Sequence, residues 1–133
     1  MRVRTRWVLL LCLLACGGCK KKSTAELVDD LKGGQERDRL IAVRLLPQHK
    51  QDAAQVVPAL IEALKQKGAD VRISAAIGLG SFGEQARDAI PALQAAVRDR
   101  DARVREAAGV ALSRIDPARF PAPAPKRRPA QGK

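Results

Sequence analysis

The segments 70–83 (DVRISAAIGLGSFG) and 102–115 (ARVREAAGVALSRI) decide the fold of this chain. When Arg72 is aligned with Arg105, the two segments lie 33 residues apart, and both carry small and apolar residues at helical spacing. A third, weaker copy surrounds Arg39. Four columns keep one residue type in all three copies without an insertion: Leu27, Leu60 and Leu93; Arg39, Arg72 and Arg105; Ala42, Ala75 and Ala108; and Leu46, Leu79 and Leu112. A fixed period of this size indicates stacked units that depend on one another for burial.

Each copy predicts two helices joined by a short turn. In the middle copy we expect Pro58 near the start of the first helix, where its missing N–H costs least. Gly68 and Ala69 then turn the chain, and Asp70 is placed to cap the second helix. The same plan in all three copies gives six helices over residues 24–116. The predicted fold class is therefore an all-α solenoid of about three helical pairs.

The recurrent columns have structural interpretations. Alanine on the second helices lets neighbouring units approach closely. The arginines Arg39, Arg72 and Arg105 predict a ladder that reaches acids or exposed carbonyls of the next unit. In the last copy, Gln94 and Glu106 replace aliphatic residues, as a terminal cap with no further neighbour requires.

The valine-arginine pair near the start of each quoted segment, the alanines after it and the leucine that closes it resemble the short HEAT-like repeats grouped around phycobilin lyase proteins. The resemblance covers about 90 residues and implies an α-α superhelix that binds other proteins. The first copy departs from the pattern, because Asp38 stands where valine should precede Arg39. Ankyrin and tetratricopeptide repeats are disfavoured, since the chain lacks the Thr-Pro-Leu-His turn of the former and the large aromatics of the latter.

Residues 1–15 are predicted to be a signal peptide. Three arginines in this segment precede the unbroken apolar run WVLLLCLLA. As a helix this run extends only about 13 Å, whereas a bilayer core is roughly 30 Å thick, so the run is too short to span a membrane. Such a segment is typical of an exported protein.

The end of this run resembles the lipobox of bacterial lipoproteins. Leu13, Ala15 and Cys16 match the leucine, the small residue and the cysteine that accepts the lipid. Cys19, which follows Gly18, is a competing acceptor, and an ordinary cleaved signal peptide is a further alternative. The resemblance implies a membrane anchor through covalent lipid with at least two acyl chains, which is enough for stable attachment.

The residues after the cleavage site bear on location. Residues 16–23 contain the lipid acceptor and a basic linker whose three lysines either approach anionic headgroups or simply stay solvated. Retention in the inner membrane generally goes with aspartate after the lipidated cysteine, and this chain has Gly17 there. The resemblance therefore implies a place in the cell envelope, with the outer membrane favoured over the inner membrane and the protein facing the periplasm.

The net charge of +11 arises from the two ends of the chain. Residues 24–117 contain 14 acidic and 14 basic residues, so the repeat region is neutral. A nucleic-acid-binding domain would place a basic stripe on its folded surface and offer aromatic rings for stacking, and this chain has only two phenylalanines and one tryptophan. We therefore expect no nucleic-acid partner. Residues 117–133, rich in Pro, Ala and basic residues, are predicted to be a disordered tail.

No catalytic, metal or cofactor site is predicted. Gly78, Gly80 and Gly83 spell GxGxxG, but a predicted helix precedes them where a dinucleotide fingerprint needs a strand. We assign them instead to close packing and to the end of a helix. His49 is the only histidine and is assigned to a solvated loop between units. All three cysteines lie in the leader, which leaves no disulfide or cysteine-based metal site for the domain.

The carboxylates are scattered along predicted helix faces. We expect them to form ordinary surface pairs, namely Asp29 with Lys32, Glu62 with Lys65 and Asp101 with Arg105. None of them stands out as a catalytic dyad. The sequence therefore predicts no enzyme, no cofactor and no small-molecule substrate.

The predicted function is a membrane-anchored, non-catalytic protein-interaction module with an unidentified protein partner. We expect this partner to dock on the face of the second helices, in columns that vary among the copies: Ile41, Leu45, Gln48, Ser74, Gly78, Ser81, Ala107, Ala111 and Arg114. One alternative is a structural tether whose basic tail binds an anionic envelope polymer. Another, by fold analogy only, is an accessory subunit of a chromophore lyase.

Overall fold

The computed structural model describes residues 21–122, and within them the chain forms α-helices and 3-10 turns without a strand. The α-helices are α1 (Thr24–Gly33), α2 (Glu36–Leu45), α3 (Ala53–Ala63), α4 (Ala69–Phe82), α5 (Ile90–Ala96) and α6 (Ala102–Ile115). The 3-10 segments Leu46–Gln48, Lys50–Asp52 and Gly83–Ala89 connect the helical pairs. Two helices in each of three copies confirm the predicted all-α solenoid. The predicted signal peptide, Cys16, Cys19 and residues 123–133 lie outside the described residues.

The core is a continuous strip of aliphatic side chains between the first and second helices of the units. The leucine and alanine columns are all buried in it: Leu27, Leu60 and Leu93; Leu46, Leu79 and Leu112; and Ala42, Ala75 and Ala108. Burial of each leucine contributes roughly 1.5–3 kcal/mol to folding. Because these residues come from every unit, the three copies share one core.

Glycines allow the second helices to approach closely, as expected. A Cβ on Gly80 would lie 3.0 Å from the Cα of Ala111, so α4 and α6 almost touch there. A Cβ on Gly78 would lie 2.8 Å from Cγ of Pro47. Gly83 ends α4 with a φ of 55°, which side chains other than glycine rarely adopt. The three glycines of the GxGxxG pattern thus lie in a helix and at its C-cap, which is not the strand-turn-helix geometry of a dinucleotide site.

The expected position of Pro58 is wrong. Helix α3 begins at Ala53, so Pro58 lies inside it and cannot donate a backbone hydrogen bond there. The helix extends ahead of the proline because Val56 and Val57 are buried in the core, and their burial offsets the lost hydrogen bond. In the third unit Pro91 does lie in the first turn of α5, as the pattern predicts.

The expected cap at Asp70 is also wrong. Helix α4 is preceded by Gly68 as its N-cap residue, and Asp70 lies within the first turn. In the third unit the column of Gly68 is occupied by Asp101, whose carboxylate accepts from the backbone N–H of Arg103 at 2.8 Å. Of these two helices, the one with a side-chain cap is therefore α6 of the third unit, and not α4 of the second unit as the sequence pattern indicates.

His49 is half-buried, and its assignment as a solvated loop residue is wrong. Its Nδ1 lies 3.1 Å from the hydroxyl oxygen of Thr24, and the same hydroxyl donates to the carboxylate of Asp52. These three side chains tie the start of α1 to the connection between the first and second units. The hydroxyl lies between the imidazole and the carboxylate, so the order differs from a nucleophile-histidine-acid relay.

The described chain continues in ordered form after α6. The backbone N–H of Phe120 donates to the carbonyl of Asp116 at 2.9 Å, and the guanidinium of Arg119 lies 5.4 Å from the centroid of the Phe120 ring. The Phe120 ring is partly buried and packs against the core. Residues 117–120, which the sequence assigns to the tail, therefore form a turn that closes the C-terminal end of the solenoid.

Two further features concern residues 21–122. No helix in this range combines the length and the apolar composition needed to cross a bilayer. The same range contains no grouping of three or more His, Cys, Asp or Glu residues suited to a metal ion.

Candidate functional site

The face formed by the second helices carries an exposed aliphatic ridge. Ile73 and Ile77 are one turn apart on α4; Ile73 is half-buried, and Ile77 is 55% exposed. Ile41 on α2, which shares a column with Ser74 on α4, is also exposed. A single exposed isoleucine is common on protein surfaces, so the ridge is informative only together with the apolar surface next to it.

A groove lies on each side of this ridge. The groove between α4 and α6 has a volume of about 390 Å³, and the groove between α2 and α4 has a volume of about 400 Å³. Both are open to solvent and mainly apolar. Ile73 and Ile77 border both of them, so the ridge and the two grooves form one surface, which we call the docking face.

Six of the nine predicted face residues line these grooves. They are Ser74, Gly78 and Ser81 in the α2–α4 groove and Ala107, Ala111 and Arg114 in the α4–α6 groove. The other three, Ile41, Leu45 and Gln48, belong to the same columns in the first unit but do not line either groove. Gly78 and Ala111 are buried, so they form the floor of the grooves and do not project into them.

The ridge itself is absent from the sequence prediction. Ile73 shares a column with Leu40 and resembles a core residue, yet both are only half-buried. Ile77 shares a column with Arg44 and Val110, and this mixture of types does not indicate a common role. The signal that would have identified the ridge is an isoleucine one turn after Ile73 on a helix whose core side is already filled by alanine and leucine.

The docking face has opposite charges at its two ends. At the first turn of α4, Arg103 lies 3.4 Å from Asp70 and 3.1 Å from Asp101. The hydrogen bond and charge of Arg103 lower the pKa of Asp101, and those of Asp101 raise the pKa of Arg103. Arg103 and Glu106 line the α4–α6 groove, and Asp70 and Asp101 lie at its edge through their ion pairs with Arg103.

Three cations lie at the other end, beside the last turn of α4. Arg44 lines the groove with Ser81, and the ammonium of Lys50 donates to the Ser81 carbonyl at 3.2 Å. The Cδ of Arg114 would lie 3.5 Å from a Cβ on Gly80. The C-terminal end of the docking face is therefore basic.

A second site, on the side of the solenoid that carries the intra-unit turns, holds the units together. The guanidinium of Arg72 binds Asp99 of the next unit through two hydrogen bonds, Nε to Oδ2 at 2.8 Å and a terminal nitrogen to Oδ1 at 2.9 Å. Its other terminal nitrogen donates to the carbonyls of Gln66 and Lys67 at 2.9 and 2.8 Å. Both side chains are largely buried, with 6% and 14% of their surfaces exposed. The expected reach to an acid of the next unit is confirmed, whereas the carbonyls belong to the arginine's own unit.

Arg105 repeats half of this arrangement. One of its terminal nitrogens donates to the carbonyls of Asp99 and Arg100 at 2.9 and 3.2 Å, at the same sequence offsets as in Arg72. The expected surface pair of Arg105 with Asp101 is wrong, because Arg105 turns toward these carbonyls and Asp101 binds Arg103 instead. The expected pair of Glu62 with Lys65 is confirmed at 2.8 Å.

The contacts of Arg72 with Asp99, Gln66 and Lys67 form a clamp between units, and Arg39 does not form such a clamp. Its Nε is buried without a hydrogen-bond partner among the described residues. The residue in the column of Asp99 is here Gln66, whose amide donates to the carbonyl of Leu31 at 2.9 Å. Without a carboxylate in that column, the first pair of units lacks the bridge that joins the second pair.

Hydrogen bonds from Arg72 lower the pKa of the Asp99 carboxyl, and a hydrogen bond from the backbone N–H of Asp101 adds to this effect. Burial raises this pKa and is the second-largest influence, but it is weaker than the hydrogen bonds from Arg72. Asp99 is therefore ionised throughout the neutral range and is a permanent partner of the arginine.

Stacked helical pairs with a shared core and an open second-helix face define an α-solenoid scaffold. The model of the family described as HEAT repeats matches residues 24–113, which run from the first residue of α1 into the last turn of α6. The chain belongs to the HEAT repeat family. Such repeats commonly mediate protein–protein interactions and are typically non-catalytic. No curated protein matches the chain.

Proposed function

We propose that this protein is a non-catalytic interaction module held at the bacterial cell envelope by a lipid on Cys16, with Cys19 as the alternative acceptor, and that its protein partner binds the docking face. The observation that carries the docking role is the Ile73–Ile77 ridge with a groove on each side. A partner that covers the exposed Ile77 side chain removes apolar surface from water, and this burial contributes about 25 cal/mol of binding free energy per Å².

The docking role is tested in intact cells with a photo-crosslinking amino acid in place of Ile77. Val97, at the end of α5, is the matched control because its side chain is also aliphatic and exposed but lines neither groove. We expect a protein adduct from position 77 that is absent from position 97. The same adducts from both positions, or none from position 77, would contradict the proposal.

The anchor is supported by the resemblance of Leu13, Ala15 and Cys16 to a lipobox and by the short apolar run before them. It is tested by fatty-acid labelling of the Cys16→Ser, Cys19→Ser and double variants. We expect Cys16→Ser to lose the label and Cys19→Ser to keep it. Label that persists in the double variant would refute lipid attachment at this segment.

The envelope location rests on the same segment, and Gly17 after the acceptor favours the outer membrane facing the periplasm. Separation of inner and outer membranes by density, followed by detection of the chain, tests this assignment. Recovery of the chain in the inner-membrane or soluble fraction would contradict it.

A tether that binds an anionic envelope polymer is the second candidate, because the excess positive charge of the chain lies outside residues 24–117. Deletion of residues 123–133 tests it, since this deletion leaves Phe120 in place on the core. If the deletion abolishes polymer association and leaves the adduct at position 77 unchanged, the tail acts as a tether. If polymer association is unchanged, the tether function is excluded.

A further inference from the structure

The shape of the docking face favours a helix as its occupant. Ile73 and Ile77 are four residues apart on α4 and form one ridge, and helices pack by fitting ridges of this kind into the grooves of another helix. An extended strand would meet only helical surfaces, which have no sheet edge with which to pair its backbone N–H and C=O groups. A helix satisfies these groups internally and places a row of side chains in each groove.

The charges of the face give this helix a direction. Within residues 21–122, none of the three cations at the basic end, Arg44, Lys50 and Arg114, forms an ion pair. They lie where α2, α4 and α6 end, so they complement the negative ends of those helices and also attract external carboxylates. The opposite end, around Arg103, has an excess of carboxylates and favours cations.

We propose, as an extension of the docking function above, that the partner contributes an amphipathic helix that lies antiparallel to α4. Its aliphatic stripe straddles Ile77, its N-terminal half is acidic and lies against Arg44, Lys50 and Arg114, and its C-terminal half is basic and lies against Asp70 and Asp101. In this direction the positive end of the partner helix also meets the negative ends of α4 and α6.

Two hydrocarbon-stapled peptides of about 18 residues, long enough to follow α4, test the direction. They share one composition and one leucine stripe; the first has Glu in its N-terminal half and Lys in its C-terminal half, and the second has the halves exchanged. Binding to the full chain in detergent micelles is measured by fluorescence anisotropy. We expect the first peptide to bind about tenfold more tightly at low salt and the difference to shrink as salt screens the charges.

Variants of the full chain isolate the basic end. In Arg44→Glu/Lys50→Glu/Arg114→Glu the preference for the first peptide is expected to disappear. The matched control, Lys32→Glu/Lys65→Glu/Arg98→Glu, changes the net charge equally with one exposed residue per unit outside both grooves, and it is expected to keep the preference. Loss of the preference in the control, or its survival in the first variant, would overturn the proposal.

The remaining outcomes are also decisive. Equal affinity for both peptides, or no binding of either, overturns the helix proposal. The docking function is still tested separately by the crosslinked adduct at position 77. Tighter binding of both peptides after deletion of residues 123–133 would identify the chain's own tail as the occupant. A concentration-dependent dimer that Ile77→Asp abolishes would identify a second copy, and either result would overturn the proposal.

Discussion

The two contacts between neighbouring units use the same column of arginines with different results. Between the second and third units, Arg72 binds Asp99 with two hydrogen bonds and is almost fully buried. Between the first and second units, Arg39 has a buried Nε without a described partner, and Gln66 binds the carbonyl of Leu31 instead. The comparison indicates that the clamp depends on two columns, because the bridge is present where arginine faces Asp99 and absent where the same column holds Gln66.

Substitution of Asp99 by Ala is expected to have the largest effect on this comparison. It leaves the buried guanidinium of Arg72 without its carboxylate, which we expect to lower the free energy of unfolding by about 3 kcal/mol. The matched change in the other contact, Gln66→Ala, removes one hydrogen bond and is expected to cost about 1 kcal/mol. Urea unfolding of both variants measures the difference, and equal losses would show that the two contacts are equivalent.

Close approach of the second helices is the next feature to perturb. Gly80→Ala places a Cβ against the backbone of Ala111, and we expect it to lower the free energy of unfolding by about 2 kcal/mol because α4 and α6 must separate. Gly109→Ala, on α6 in open space, is the control and is expected to stabilise the protein by about 1 kcal/mol. Stabilisation by both changes would show that the helices are not in close contact at Gly80.

Acid is expected to weaken the contact between the second and third units selectively. The pKa of Asp99 is lowered in the folded state, so its bond with Arg72 contributes fully above the ordinary carboxyl pKa of about 3.9 and is lost as the pH falls through the folded-state pKa. The difference in unfolding free energy between the wild type and Asp99→Asn should therefore narrow below about pH 4.

The pH prediction has an internal control. The pKa of Asp101 is also lowered, but the guanidinium of Arg103 that lowers it is exposed to solvent. Asp101→Asn should accordingly show a smaller narrowing that salt reduces further. A constant difference for Asp99→Asn across the acid range would mean that the carboxylate is not held by the arginine.

The smallest expected effect comes from building the missing clamp. Gln66→Asp places a carboxylate in the column opposite Arg39 and sacrifices the hydrogen bond to Leu31, so we expect a net stabilisation of about 0.5 kcal/mol. The same substitution combined with Arg39→Met should lose this gain. Destabilisation by Gln66→Asp alone would show that the geometry of the first contact, and not its residue type, prevents the bridge.

The repeat period predicted the fold because burial follows directly from the columns. Every leucine and alanine that recurs in all three copies is buried, and the glycines at 78, 80 and 83 have the packing and capping roles expected of them. The arginine column predicted a link between units. The pattern did not distinguish Arg39 from Arg72, because the deciding residues, Gln66 and Asp99, lie in a column that does not repeat.

The residues that line the two grooves were predicted only in part, since exposure depends on how far each helix is rotated against its neighbours. Ile73 and Ile77 resemble core residues by type, yet α4 packs against α6 through Gly80 and Ala111, and the two isoleucines border the grooves. In the same way, Pro58 marks a helix start by local rules, but the burial of Val56 and Val57 extends α3 ahead of it. Local signals fail here because tertiary packing overrides them.

The arginine clamp also limits how the protein can grow. Arg72 and Arg105 each bind the carbonyls five and six residues before them, so the length of the hairpin within a unit is tied to the guanidinium. The two connections between units differ in form and are held by other contacts: Leu46, Ala86 and Ala89 are buried in the core, and Thr24 contacts His49 and Asp52. Insertions in the turn at residues 66–68 are therefore expected to break the clamp, and lengthening by duplication should proceed in whole units.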